Sequence, residues 1–547
     1  MSSKLSLIKY WYRLVVFMGL ALIVFSGCRQ LGGGEDYYEV QIAPEKLRQI
    51  ETLDLKQVEG GQGVKKDANE PAAAELELTL EQCRALTLEN NLDLKVELIN
   101  PTIAAERVTQ QEAQFEAAFT LNSTYTKTDT PVASTLDISG SNIEYSYTNL
   151  GVDVPLRTGG TLSFDAVDNR TKTDSTYSIF NPSYGSDFSV SISQPLLRNA
   201  GRRANTYAIQ IAEYDRQITD ARTKLEVIRI IADVDRVYWR LYAAQRESDV
   251  RKQQYELAKA LFEQAKRLVA VGEVAQIEII RTEAGVAQQL EAIIVAENNV
   301  RDRERELKRT LNKSDLEMET ATVIIPATEP DPVRYQLEKQ RLVEIATEQR
   351  MEMLELELQI AQDVSTLNYM ENQTLPLVTL DYTYNMNGLG STRDNSYDLL
   401  FDKRFEDHRL GMQLLVPLGN ESAKSQLRQA FYQRRQRLAS RDSRKVLIEY
   451  EVLNAIDQLE ANWQRILASR QSTILDSRLF EAEKRQFELG LVTSTDVLQA
   501  QTNFANSQSA EIQALVEYQI ALVDLAYATG TLLGAAKVQW EPIVPQQ

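Results

Sequence analysis

Two long stretches of this chain place an apolar residue every three or four positions, and no other feature restricts the fold so strongly. Val227, Ile230, Val234, Val237 and Leu241 are spaced 3, 4, 3, 4, and Val452, Ile456, Leu459, Trp463 and Ile466 are spaced 4, 3, 4, 3. Val286, Leu290 and Ile293, then Val300, Leu307 and Leu311, carry a shorter seam of the same kind. This is the spacing of a coiled coil. It predicts helices from about Asn205 to Ala270 and from about Ala423 to Glu488, each ~100 Å long at 1.5 Å per residue. Such a helix cannot bury its stripe inside a globule and must lie beside others of similar length. Gly272 and Gly490 follow the two stretches and allow the left-handed residue that closes a helix. Return helices from about Gln276 to Asn312 and from about Ser494 to Thr529 then make two antiparallel hairpins.

The hairpins belong to a duplicated unit. With Gly272 set on Gly490, Glu278 falls on Asp496, Ala287 on Ala505 and Leu307 on Leu525 without a gap. Earlier, Glu89-Asn90-Asn91-Leu92-Asp93-Leu94 matches Glu348-Gln349-Arg350-Met351-Glu352-Met353, and Gln194-Pro195-Leu196 matches Val416-Pro417-Leu418. Units of 78–312 and 336–532 follow, joined by a Pro-marked connector at 313–335 and ending in a tail at 533–547. Each opens with a helical segment (Leu80 to about Glu116; about Tyr335 to Glu371) followed by a β insert, about 117–196 and about 375–418.

In the inserts Phe188, Val190 and Ile192 alternate with serines, and Leu162, Phe164 and Ala166 alternate with Ser163, Asp165 and Val167. Tyr382 and Tyr384 alternate with Asp381 and Thr383, while Leu410, Met412, Leu414 and Val416 share one face. Such runs suit transmembrane barrel strands and equally a soluble antiparallel sheet. Pro195 and Pro417 stand where strand gives way to helix, as residues that cannot donate to a ladder.

The N-terminus tips that balance. Lys4, Lys9 and Arg13 precede an apolar run from Leu14 to Phe25, then Ser26-Gly27-Cys28. A basic start, a short apolar middle and small residues mark a secretory signal over 1–27, and the run of ~12 residues is short of the ~20 that a spanning helix needs. The placing of Cys28 resembles a bacterial lipoprotein lipobox, which implies that Cys28 is acylated; Phe25 stands where an aliphatic is usual. A polar, Gly-rich linker occupies 28–77. Cleavage removes three cations and no acid, taking the net charge from −18 to −21. Only Cys83 then remains as a thiol, so no disulfide forms within the chain. The acidic balance argues against a nucleic-acid partner, and a single histidine, His408, removes multi-His metal sites.

Together these residues resemble the outer-membrane efflux (TolC-like) family over about 78–532. The resemblance is carried by Ser193-Gln194-Pro195-Leu196-Leu197-Arg198 with Gly201-Arg202, by Gly490-Leu491-Val492-Thr493-Ser494-Thr495-Asp496-Val497-Leu498, and by the ending Ala521 to Gly530. It implies an α+β membrane protein, a duplicated unit of long coiled-coil helical hairpins with β-hairpin inserts. Three copies would form an outer-membrane β-barrel continuous with a periplasmic α-barrel. The family's four strands per chain would make that barrel twelve-stranded. Extra candidates at Ile143–Val154 and Gly160–Val167 leave the number open between added strands and a surface hairpin.

The implied function is the exit duct of a tripartite efflux or secretion system, working passively with a periplasmic adaptor protein and an inner-membrane pump. Glu278 and Asp496, six residues after the turn glycines, would repeat threefold as anionic rings at a periplasmic constriction; both also suit a helix N-terminus through its dipole. Relatives that tie the tip shut with a further Asp and an Arg differ here, where Gln499 and Val492 occupy those positions; closure would then rest on packing around Phe487 and Leu491. The turns Val271-Gly272-Glu273 and Leu489-Gly490-Leu491 match the family's adaptor-docking tips. No catalytic residue, cofactor or metal site is expected: there is no phosphate loop or nucleophile elbow, and Trp239 and Trp463 read as packing residues. The alternative function is a periplasmic coiled-coil lipoprotein that scaffolds or tethers without a pore.

Overall fold

The computed structural model describes residues 75–131, 141–175, 177–320 and 322–539. The signal segment, Cys28, most of the linker and residues 540–547 of the tail lie outside them.

The seams form as long helices. Helix α5 (Tyr207–Ala270), entered through the single turn α4 (Arg202–Asn205), has 64 residues and α10 (Glu421–Glu488) has 68, while the return helices α6 (Ile277–Leu311) and α11 (Ser494–Ala528) have 35 each. A return helix therefore covers only the distal half of its long partner. The other half is covered by the opening helices: α1 (Leu80–Asn90), α2 (Leu92–Glu97) and α3 (Asn100–Glu112) in the first unit, α7 (Lys339–Gln349) and α8 (Met351–Gln373) in the second. On α10, Ile448, Val452, Ile456 and Leu459 are at most 3% exposed and pack with Ala514, Tyr518, Ala521 and Leu525 of α11. On α5, Val234, Val237 and Leu241 meet Leu307 and Leu311 of α6. Each such side chain contributes about 1.5–3 kcal/mol by leaving water.

The opening segments were expected to be continuous, but both break at the aligned positions Asn91 and Arg350. These residues have extended backbone, with ψ of 126° and 131°. Asn91 accepts from Leu94 N and donates to Thr310 O, while the buried Arg350 guanidinium holds Glu352 and Glu451. The duplication thus preserved the break but not the chemistry that holds it. The linker's last residues are also ordered: β1 (Glu75–Leu78) pairs in parallel with β6 (Val323–Pro326) from the connector. A four-residue strand whose partner lies 248 positions away leaves no local signal.

Strands β2 (Ala118–Asp129), β3 (Asn142–Pro155), β4 (Thr161–Thr173), β5 (Ser183–Pro195), β7 (Leu377–Gly390) and β8 (Glu406–Leu415) form one antiparallel sheet in the order β2-β3-β4-β5-β7-β8. The additional candidates of the first insert are members of this sheet, β3 and β4, so the chain supplies six strands where the family default is four. Register sorts the side chains. Phe164, Val190 and Tyr384 lie side by side, as do Leu162, Ile192, Tyr382 and Leu410, and all share one face. The other face carries Asp165, Ser189, Ser191, Asp381 and Thr383. The apolar positions cluster at the ends of the strands nearest the helices. Farther out, the short helix α9 (Arg393–Phe401) lies on the same face, where Ser396 meets Ser186 and Tyr397 donates to Asp168.

Candidate functional site at the helical tips

Both long helices end in the same hydrogen-bond pattern. Gly272 has φ +82°, its N–H reaches Val269 O, and Glu273 N reaches Leu268 O. Gly490 has φ +70°, with Gly490 N on Phe487 O and Leu491 N on Gln486 O. These paired 5→2 and 6→1 bonds satisfy the last carbonyls and need a left-handed residue between them. They leave Val271, Leu489 and Leu491 pointing outward at 71%, 74% and 71% exposure. Behind them Phe487, 1% exposed, packs with Leu261, Ala265, Phe480 and Val497, and Val492 joins this cluster from its margin. Of the two residues expected to pack the tip closed, Phe487 sits in the core and Leu491 on the surface.

The two aligned carboxylates occupy first turns of return helices but face different surroundings. Glu278 is buried: its Oε1 accepts from Arg281 Nη1 at 2.7 Å, and its Oε2 takes the backbone N–H and hydroxyl of Ser494. The acid of the first unit thus sits on the N-terminus of the second unit's return helix, where unpaired N–H groups favour an anion. Asp496 is exposed. Its Oδ2 accepts from Thr493 Oγ1 at 2.7 Å and from Thr493 N at 2.9 Å, closing a capping box. The Thr493 hydroxyl bond is the main reason its carboxyl titrates below the usual carboxylate range. Asp496, Gln499 and Asn503 line one polar stripe of α11, and Gln499 donates to Asn503 at 3.0 Å. The tips and Glu278 are thereby brought to one end of the helical bundle, with Asp496 beside them.

Sequence reasoning missed Ser494, which is fully buried, and Arg281. The only signal for either was the alignment of Glu278 with Asp496, which says that both tips matter without saying that they touch. Among the described residues no group of His, Cys, Asp and Glu is arranged to hold a metal.

The model of the family described as "Outer membrane efflux protein" matches residues 84–313 and 342–531. The chain belongs to that family. Within the family, it is 22% identical over 337 residues to the outer membrane protein TolC of Vibrio cholerae, covering 60% of this chain and 74% of the relative. The fold is that of solved outer-membrane channels. CmeC of Campylobacter jejuni superposes with a TM-score of 0.60 at 15% identity, over 83% of this chain and 86% of that one. VceC of Vibrio cholerae does so with a TM-score of 0.59 at 14% identity, over 82% and 96%. This efflux protein is accordingly a helix-rich outer-membrane channel protein with a β-sheet, and its family is one of channels rather than enzymes.

Proposed function

We propose that three copies of this chain form the exit duct of a tripartite system, through which an inner-membrane pump and a periplasmic adaptor pass substrates passively out of the cell. The observation that carries the reading is the union, in one family member, of a two-faced sheet and helices ~100 Å long. One face of the sheet is apolar near the helices and the other is polar, and on this reading the apolar face is turned to lipid; the helices are long enough to reach deep into the periplasm. On this reading the units 78–312 and 336–532 surround one passage together, the signal over 1–27 is removed, and Cys28 carries lipid that adds to the hold of the barrel.

The tips Val271-Gly272-Glu273 and Leu489-Gly490-Leu491 are the docking points for the adaptor. Two exposed leucines and a valine at glycine turns offer apolar contact to a helical hairpin. Asp496 is the constriction residue, exposed on a polar stripe that three copies repeat around an axis. Glu278 serves the same constriction by bracing the two tips against each other. The chain performs no bond chemistry.

Planar-bilayer recording from the purified protein tests the proposal: stepwise conductance is expected. Well-folded trimers without conductance would instead favour a coiled-coil scaffold.

A further inference from the structure

Among the described residues the six-stranded sheet ends in two unpaired edges, β2 and β8, and both carry lipid-type side chains: Phe119, Leu121 and Tyr125 on one, Leu410, Met412 and Leu414 on the other. All six are exposed. An open edge cannot exist in hydrocarbon, because no water satisfies its N–H and C=O groups. Six strands are also fewer than the eight of the smallest membrane barrels. The edges must therefore meet edges of other copies. Six strands alternate in direction, so β2 and β8 run opposite ways and can pair antiparallel.

The register at this junction can be read from the apolar band. Leu121 lies level with Leu150, Ala166, Phe188, Met386 and Glu406 along the hydrogen-bonded row. On this face of β8, however, the apolar residues run from Leu410 to Leu414, with Val416 just past the strand's end, so matching Leu121 to Met412 requires a shift of six residues. The membrane is flat, so this drift measures how far the strands lean. Six residues at ~3.3 Å against six strand spacings of ~4.8 Å give a tilt of about 35°, within the range of closed barrels.

The same shift sets Phe119 against Leu414, Tyr125 against His408 and Lys127 against Glu406, an opposite-charge pair. A shift of eight would put Asp129 against Glu406, two like charges. A shift of four would leave Lys127 beyond the end of β8.

We propose that β2 of one chain pairs with β8 of the next in this register, and that three copies close an eighteen-stranded barrel. The copy number rests on the trimeric duct proposed above; the pairing and its register rest on the sheet alone. Barrel diameter grows roughly linearly with strand number, so this channel is about half as wide again as one of twelve strands.

Cysteine pairs on the polar face test it. Directly opposed residues have Cα atoms close enough for a disulfide, whereas diagonal neighbours at ~7–8 Å do not. Thr124→Cys with Arg409→Cys is opposed in the proposed register; Thr124→Cys with Asp407→Cys and Thr124→Cys with Gly411→Cys are each displaced by two residues. Full-length protein in detergent is oxidised, separated without reductant and compared with the single-cysteine variants, with native mass spectrometry and bilayer recording in parallel. The first pair alone is expected to yield covalent dimers and trimers. A conducting trimer that links through none of the three pairs overturns the eighteen-strand closure, and one that links mainly through a displaced pair overturns the register; either leaves the duct standing. A monomer that does not conduct overturns both.

Discussion

Asp235 has no solvent contact and is held by Arg84 through two hydrogen bonds of 2.7 Å, Nε to Oδ1 and Nη2 to Oδ2. Removing one partner of a buried pair strands the other, at a cost of about 3–5 kcal/mol, whereas replacing both by apolar residues is often neutral. Arg84→Ala is thus expected to lower the thermal unfolding temperature in detergent sharply, and Arg84→Met with Asp235→Leu to recover most of the loss. Beside this pair, burial and then the Asp235 charge push the Cys83 thiol up to about 12, so it stays protonated and unreactive. At the tip, Asp496→Ala should weaken cation selectivity, read as a smaller reversal potential in a salt gradient. The pH dependence follows from the sign of its shift. The folded pKa of Asp496 lies below the unfolded one, so its contribution to the helix cap is fully present above the unfolded value of ~4 and fades as pH falls through the folded value. Selectivity due to Asp496 should accordingly persist from pH 7 to pH 5 and disappear only in stronger acid.

Elements differ in how plainly the sequence announces them. The long helices repeat their apolar spacing over many turns, so Val452, Ile456 and Leu459 identify a buried seam without any partner in view. Strand β2 does not: Ser123 interrupts Phe119, Leu121 and Tyr125, and its threonines suit either face, so only pairing with β3 shows it to be a sheet member. Helix α9 is equally hidden. It is held by Ser396 on Ser186 and by Arg393 on Asp168 at 3.0 Å, contacts more than two hundred positions apart in the chain. Glu278 on Ser494 is a third case, 216 residues apart. Two element-scale predictions follow from backbone geometry. A Cβ on Gly388 would lie 2.2 Å from Ser396 O, so Gly388→Ala must lift α9 and increase proteolytic cleavage between residues 391 and 405. Gly490→Ala keeps an open surface but imposes a left-handed alanine, costing roughly 1–2 kcal/mol. Hydrogen exchange should rise at residues 486–493 while the α10–α11 seam stays protected.

For the whole molecule, lengths add along one axis if the duct reading holds. About 100 Å of helix and ~35 Å of tilted strand predict a particle near 135 Å long by electron microscopy, whereas a scaffold with a folded-back sheet would be shorter. The strands are also longer than the membrane requires. Thirteen residues in β4 and β5 rise ~35 Å, against an apolar band of ~25 Å in outer-membrane barrels, and here the apolar residues sit at the helix-proximal end. Above them the same face is charged: Glu144 lies 3.9 Å from both Lys127 and Lys172, and Asp168 is paired with Arg393. In the proposed duct the barrel would therefore stand as a chimney, with roughly 10 Å of hydrophilic wall rising past the lipid tails. Cargo would leave from its rim, clear of the layer into which an apolar molecule would otherwise dissolve and leak back.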